Sequence, residues 1–389
     1  MHKHIVSDMA KGINPSSIRK IFNLSKSMTD VISFGIGEPD FNTPKYITDA
    51  ARKAMDDGYT HYTVNAGLPE LRECISEKLS HENRITADPK DDIIVTAGGM
   101  GGLYLALRSM LDSGDDVLVP QPSWLNYVSQ IILAGGNVVP IPLDTSDGFI
   151  LTADKIAAHL TEKTKVLLFN TPSNPTGRVV PKEELEKIAR LARQKGFFII
   201  SDEVYEKFIW DGHSHTSIAS IPDASDITVT VNSFSKSYAM TGWRIGYACG
   251  NKEIISSMVK LQENVYACAN SVAQRAAIAA LTNDDGSLGV MLKEYASRRK
   301  LLTDIVSNIE GLKIVPCEGS FYMFVDISCT RLSSEDFAMG MLSKNRLAVI
   351  PGDAFGPTGA GFVRMAYTVG PDSLIEGGNR LKAFISSLN

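Results

Sequence analysis

Cysteine is scarce and scattered. The five residues Cys74, Cys249, Cys268, Cys317 and Cys329 stand far apart, odd in number and without a CxxC pair. That excludes a disulfide framework and a thiolate zinc site as organising features. No run approaches the about 18 apolar residues of a membrane span, and the amino terminus MHKHIVSDMAKGINPSS lacks the apolar core of a signal peptide. Positive charge is not in excess either: 39 Lys and Arg stand against 44 Asp and Glu, a formal net charge of −5, so no nucleic-acid-binding face is indicated. Internal repeats, low-complexity tracts and Pro/Gly/Ser-rich linkers are missing. A cytoplasmic enzyme is the expectation these absences leave. With 389 residues, 44% apolar and 21% charged, the chain exceeds what one core normally supports, so one large and one smaller domain are expected.

What is present is a rhythm. Between Asp91 and Gly250 short runs rich in Val, Ile and Phe recur: DIIVTAGG, DVLVP, NVVPIPL, KVLLFNTP, FFIISDE, ITVTVNSFSK and WRIGYACG. Helical patterns separate most of them. In PKEELEKIARLARQKG, Pro181 suits the first turn, Leu185, Ile188, Leu191 and Ala192 make one apolar stripe, and Gly196 suits the cap. Strands alternating with helices predict an α/β fold, a mostly parallel seven-stranded sheet covered by helices. Beyond about residue 250 a long helical region over 252–283 and another near 288–308 follow. They lead to strand-like KIVPCEG, SFYMFVDI and FVRMAYTV and a terminal helix ending near Leu388, a smaller α+β unit. Residues 1–45 are too short and irregular to fold alone. The chain therefore reads as a large domain over 46–285 and a small domain from 1–45 plus 286–389.

Polar residues gather where these runs end, and in open α/β sheets ligands bind outside the carboxyl ends of the strands. DIIVTAGG continues into GGMGGLYLALRSML, a glycine-rich turn opening a helix, whose amides and dipole attract an anion. It matches neither GxGxxG nor the P-loop, and such turns are often simply tight. KVLLFNTP brings Asn170 and, through PSNPTG, Asn174 to the rim. FFII ends in Ser201, Asp202 and Glu203 with Tyr205 next; an acid there caps a helix or serves a ligand. ITVTV ends in SFSKSYAMTGWRIG, one lysine between two serines with an arginine further on; alone, such a lysine is a solvated surface charge. Trp124, in PQPSWLNY, is by itself a core aromatic. Collected at one rim, these groups suit a phosphate-bearing, planar, cationic ring with an aldehyde. Pyridoxal phosphate is such a molecule.

The motifs also resemble a known family. GIGEPDFNTP, HYTVNAGLPELRE, VTAGGMGGLYLAL, PQPSWLNY, FNTPSNPTG, SDEVY, NSFSKSYAMTGWRIG and FVRMAY span residues 35–367. Their order is that of the class I aminotransferases, fold-type I pyridoxal-phosphate enzymes, in the bacterial aspartate-aminotransferase branch. The resemblance implies that Lys236 carries the cofactor, since an amine bonds reversibly to an aldehyde and, once freed, shuttles a proton. It implies Asp202 beside the pyridine nitrogen, where a carboxylate keeps the ring protonated, and Asn174 and Tyr205 at the ring oxygen. Ser233, Ser235 and Arg244 become phosphate ligands together with the amides of Gly99 and Met100, and Trp124 stacks on the ring. Arg364 becomes the clamp on the substrate α-carboxylate, helped by the backbone near Gly37; without the family it reads as a surface salt-bridge residue. Tyr62 becomes a phosphate contact from the neighbouring subunit, which implies a homodimer with shared sites; its alternative is packing within its own chain.

The activity so implied moves an amino group from an L-amino acid to a 2-oxo acid in ping-pong half-reactions, with glutamate and 2-oxoglutarate as one pair. Two rivals use the same fold: a β- or γ-lyase with the same cofactor, and a non-catalytic ligand-binding domain. Arg108, about two turns into the helix after the glycine turn, either reads a second substrate carboxylate or is exposed on an amphipathic helix. The small domain is expected to close on substrate, with residues 12–20 in its lid. His213 and His215 of DGHSH, and the pair Asp284–Asp285, read as solvated loop residues without a role.

Overall fold

The structure, a computed structural model, describes residues 5–13 and 17–388. All seven apolar runs of the central region are strands. After a short β1 (Ile32–Ser33) come β2 (Ile93–Thr96), β3 (Asp116–Gln121), β4 (Asn137–Pro142), β5 (Thr164–Asn170), β6 (Phe198–Asp202), β7 (Thr228–Ser233) and β8 (Gly246–Cys249). The seven from β2 to β8 form one sheet in the order β2-β8-β7-β6-β5-β3-β4. Only β8 runs against the rest, antiparallel to both β7 and β2. Strands covered on both faces have no solvent side on which to place polar residues, which explains the continuous Val/Ile runs. β2 and β7 are buried at every position.

Helices cover both faces. On one, Leu185, Ile188, Ala189 and Ala192 of helix Lys182–Lys195 pack with Leu167 and Ile199. On the other, Leu103 and Leu107 of helix Gly98–Met110 pack with Val166, Ile200 and Val231. Adjacent residues of β5, Val166 and Leu167, thus serve opposite cores, as the two-residue period of a strand requires. Two details of the predicted helix shift. Pro181 stands just before it, extended, as its N-cap residue, and Ala189 takes the buried place expected of Leu191, which is half-buried. Gly196 ends the helix at φ +76°, a conformation that disfavours any Cβ.

The expected long helix over 252–283 is two helices, Lys252–Tyr266 and Ser271–Thr282. Ala267 turns the chain at φ +64°. Asn270 then caps the second helix, its Oδ1 accepting from the Ala273 amide at 2.8 Å; an asparagine before an alanine-rich run was the available signal. Further on, after helix Ser287–Ser307, lie β9 (Lys313–Ile314), β10 (Tyr322–Asp326), β11 (Leu347–Ala348), β12 (Ile350–Pro351) and β13 (Phe362–Ala366). Four of these make the antiparallel sheet β12-β13-β10-β9, and β11 pairs with β1 in parallel.

The N-terminal segment packs against this second sheet. Phe34 is fully buried with Leu302, Met341, Val363 and Leu374, and its carbonyl accepts from Ala366 N at 2.6 Å. Asp40 accepts from Arg298 at 2.8 Å and from Tyr295 Oη at 2.9 Å, so residues 34–40 are tied at both ends. Of the residues expected in a lid, 14–16 lie outside the described residues, and helix Ser17–Lys26 follows them. Among the described residues no helix is long and apolar enough to cross a membrane.

Candidate active site

β5, β6 and β7 end side by side in Asn170, Asp202 and Ser233, and a cavity of ≈ 360 Å³ opens beyond them. Twelve of the fourteen residues singled out from the sequence line it: Gly37, Gly99, Met100, Trp124, Asn174, Asp202, Tyr205, Ser233, Ser235, Lys236, Arg244 and Arg364. Tyr62 and Arg108 do not.

Asp202 closes the central strand and is buried. Tyr127 Oη donates to its Oδ2 at 2.6 Å, and the Val204 amide donates to Oδ1 at 3.3 Å. Burial raises its pKa to about 6, against the pull of those two hydrogen bonds. A cation placed beside this carboxyl draws it back to the ionised form, so the position is prepared for a positive partner. Asn170 braces the same corner: its Nδ2 donates to the Asp202 carbonyl at 2.7 Å, and its Oδ1 accepts from Asn174 N at 2.9 Å.

Lys236 follows β7 after two turn residues. Its Nζ donates to the Gly37 carbonyl at 2.6 Å. Burial lowers its pKa to about 8; Arg364 and Arg244 push the same way, while Glu38 and Asp202 oppose them. An amine in that range is substantially neutral near pH 8 and available as nucleophile and base. Gly37 is glycine for a reason of space, because a Cβ there would lie 2.4 Å from Tyr322 Oη. That hydroxyl in turn lies 3.0 Å from Tyr205 Oη.

The glycine turn and the lysine loop form one cradle. Gly98 has φ +73°, and a Cβ on it would stand 2.6 Å from Arg244 Nη2. The guanidinium therefore lies directly against the start of helix Gly98–Met110, whose first amides have no carbonyl partner within the helix. Arg244 Nη1 is anchored on the Thr241 carbonyl at 2.8 Å. Ser233 and Ser235 border the same space. Trp124, edge-on to Tyr127 with ring centres 5.4 Å apart, walls the cavity on the side of β3.

Arg364 enters from β13 and is 2% exposed. Its Nη1 donates to Asn174 Oδ1 at 3.0 Å and its Nη2 to the Gly35 carbonyl at 2.7 Å, while its plane lies 4.3 Å from the Tyr322 ring centre. Its Nε is buried with no hydrogen-bond partner. Among the described residues, no carboxylate lies within ion-pair distance of Arg244 or Arg364. Two guanidiniums and an amine thus share a cavity with one buried carboxyl and the more exposed Glu38. That donor set fits pyridoxal phosphate and a carboxylate substrate: Arg244, the serines and the amides suit the phosphate, Asp202 the ring nitrogen, and Arg364 a carboxylate.

Three sequence expectations need correction or placing. Arg108 does not reach the cavity. It is exposed on the last turn of its helix and donates to the Leu111 carbonyl at 3.3 Å; ten residues of helix carry it roughly 15 Å from the glycine turn. Tyr62 is 88% exposed, outside its own chain's cavity. His213 is exposed as expected, but His215 is not: the loop folds back and its Nε2 lies 2.9 Å from Glu203. Sequence reasoning missed Tyr127 and Tyr322 as site residues. Tyr127 lies three residues after Trp124 in the same motif, a usable helical spacing; Tyr322, within an apolar strand, carried no signal.

The family sequence model described as aminotransferase class I and II matches residues 29–377. The aspartate aminotransferase of Pyrococcus abyssi is 44% identical over 379 residues, 97% of each chain. Aromatic-amino-acid aminotransferase 2 of Thermococcus litoralis is 40% identical over 379 residues, again 97% of each. Among solved structures, the aspartate aminotransferase from Thermus thermophilus with maleate is 36% identical, with TM-score 0.93 over 98% of this chain and 100% of that one. These relatives are aminotransferases, which decides among the three activities the sequence left open. The chain belongs to the class I and II aminotransferases and is a fold-type I transferase with pyridoxal phosphate as its cofactor.

Proposed function

We propose that the twelve cavity residues take the roles implied by the motifs, that glutamate and 2-oxoglutarate form one substrate pair, and that the enzyme works as a cytoplasmic homodimer. One observation carries the reading: an amine with a pKa near 8, a buried carboxyl, and two guanidiniums without carboxylate partners among the described residues converge on one cavity. Pyridoxal phosphate, when bound, supplies an electron-withdrawing ring that stabilises negative charge at the substrate's α-carbon. The chain does the rest. Lys236 Nζ holds the cofactor and, once released, moves a proton at that carbon. Asp202 keeps the ring nitrogen protonated, Asn174 Nδ2 and Tyr205 Oη face the ring oxygen, and Trp124 covers the ring. Ser233, Ser235, Arg244 and the amides of Gly99 and Met100 hold the phosphate. Arg364, already fixed through Nη1 and Nη2, orients the substrate carboxylate as a rigid fork.

Residues 46–285 form the cofactor-binding unit in this reading, and 1–45 with 286–389 the unit that closes on substrate. Lys236 and Asp202 belong to the first, Arg364 and Gly37 to the second, so closure brings the two sets together. Tyr62 reaches the partner's phosphate; it stands in an exposed apolar strip with Tyr59 and Val64 that a second subunit would cover. The relatives are named for aspartate and for aromatic amino acids, so both classes belong in the test. Holoenzyme is mixed with each common L-amino acid in single turnovers and the loss of the cofactor's visible band is followed. Glutamate is expected among the fast donors, each yielding its 2-oxo acid in equal amount to the amino group taken up. Ammonia release without an acceptor, or no spectral response to any amino acid, would overturn the reading.

A further inference from the structure

The turn that carries Asp202 and Tyr205 has a second, buried side. Asp202 and Tyr205 face the cavity, while Glu203 and Glu206 between and beyond them face away from it. Glu203 is fully buried. Its carboxylate accepts from Ser201 Oγ at 2.9 Å and from Ser217 Oγ, and lies 2.9 Å from His215 Nε2. Glu206 pairs with Lys78 and accepts from Asn83 Nδ2 at 2.7 Å. Asn83 ties the two halves together: it also donates to Ser217 Oγ at 2.8 Å, and its Oδ1 accepts from Lys78 at 2.8 Å. It sits at the end of the π-turn Leu79–Asn83, which extends helix Pro69–Lys78, an irregularity that re-aims side chains. Two further segments, 78–83 from far away in sequence and 215–217 from the following loop, therefore meet behind a turn of five residues.

Charge decides what His215 must be. With Lys78 as the only cation against Glu203 and Glu206, the cluster would bury one uncompensated negative charge, which is strongly unfavourable. We propose that His215, as an imidazolium, completes a neutral cluster of two cations and two carboxylates and thereby acts as a positioning residue, clamping the Asp202–Tyr205 turn from behind. Glu203, Glu206 and Lys78 are the charged groups that face His215. Further out, Lys78 faces Glu82, Tyr238 and Tyr247, and Glu82 pairs with Lys207 at 2.7 Å. Burial disfavours the charged ring, but Glu203 and then Glu206 outweigh it, so the imidazole is held above its ordinary range. The titrating proton is the one on Nδ1, which is buried with no hydrogen-bond partner among the described residues. Glu203, Glu206 and His215 also lie close enough together to hold a divalent cation. The amine and amide donors already on Glu206, and the two hydroxyl donors already on Glu203, favour the imidazolium instead.

The sign follows from linkage: stabilisation by a raised histidine is complete below the ordinary imidazole range and is lost as pH rises through the raised value. The inference rests on Asp202 and Tyr205 serving the cofactor as proposed above. Its test compares wild type with His215→Gln, Ser217→Ala and the double variant Glu203→Gln/His215→Gln. Two readouts are taken from pH 6 to 10: the melting temperature of the apoprotein, and the Kd for pyridoxal phosphate. His215→Gln is expected to melt lower and to bind the cofactor about 10-fold more weakly at pH 6 to 7. Both gaps should close toward pH 10. Ser217→Ala should move both readouts less in the same direction, and the double variant should recover part of the loss because it buries no unpaired charge. A pH-independent deficit in His215→Gln, or no deficit, would overturn the proposal. So would a fall in melting temperature on adding EDTA, which would put a metal ion in the cluster. Asp202→Asn, measured in parallel, separates the two ideas. Unchanged cofactor affinity in that variant sinks the proposed role of Asp202, whereas weakened affinity there with an unaltered His215→Gln sinks only the clamp.

Discussion

Asp202 is kept where a free carboxylate is least welcome. In the folded apoprotein its pKa is about 6, chiefly through burial, so the native state holds this proton to a higher pH than the unfolded chain does. Its contribution to stability therefore falls as pH rises from about 4 through about 6. At 1.36 kcal/mol per pH unit, the interval between 3.8 and about 6 amounts to on the order of 3 kcal/mol. Asp202→Asn should thus raise the apoprotein's melting temperature relative to wild type at pH 8 and by about half as much at pH 5, inside the titration window, by calorimetry. The same variant should bind pyridoxal phosphate at least about 10-fold more weakly, a charge-assisted contact having been lost. Equal effects at both pH values would show that burial of the carboxylate is not what strains the apoprotein. Asp202 at a strand end was legible in the sequence, but its place at a ligand came only with the motif resemblance, because an acid that ends an apolar run can equally cap a helix. Tyr127 was signalled only by its spacing from Trp124, and Tyr322 not at all, since a tyrosine in a helix or strand reads as core until its hydroxyl's partner is known. For His215 the loop composition actively misled, because burial there comes from distant segments.

The elements that carry these residues are spaced by backbone contact more than by side chains. A Cβ on Gly246 would come within 2.7 Å of Gly98 C and 2.8 Å of Gly99 N; β8 and the glycine turn touch main chain to main chain. Gly246→Ala must push the helix start outward, with a cost of about 1–3 kcal/mol in stability and a marked loss of cofactor affinity as the amides leave the phosphate. Gly196→Ala is the control. Its φ is +76° but a Cβ there meets nothing within 4 Å, so roughly 1 kcal/mol of stability is lost and cofactor affinity is kept. Urea unfolding and cofactor titration on both variants distinguish spacing from backbone strain. At this scale the strand and helix periods were readable, and so was a cavity at the strand ends. The direction of β8 and the break at 267–270 were not: strand direction leaves no mark in composition, and a single asparagine cap is easily overrun by flanking apolar periodicity.

The molecule as a whole leaves Tyr62 88% exposed, with Tyr59 and Val64 exposed on the same stretch of chain. If Tyr62 serves a neighbouring subunit, two damaged chains can repair each other. Tyr62→Ala supplies a good Lys236, Lys236→Ala supplies a good Tyr62, and a mixed dimer contains one intact site of the two. Unfolding and refolding the variants together should recover activity at limiting cofactor toward a quarter of wild type, given random assortment; recovery no greater than the sum of the separate variants would place Tyr62 in its own chain. The antiparallel pairing of β7 with β8 has its own consequence at this scale. Ser233 and Gly246 are register partners, so residues 234–245, with Lys236 and Arg244 among them, are tied off at both ends by the sheet. The conformational entropy of closing that loop is surrendered when the sheet assembles, and none of it is left to subtract from the affinity when vitamin B6 arrives.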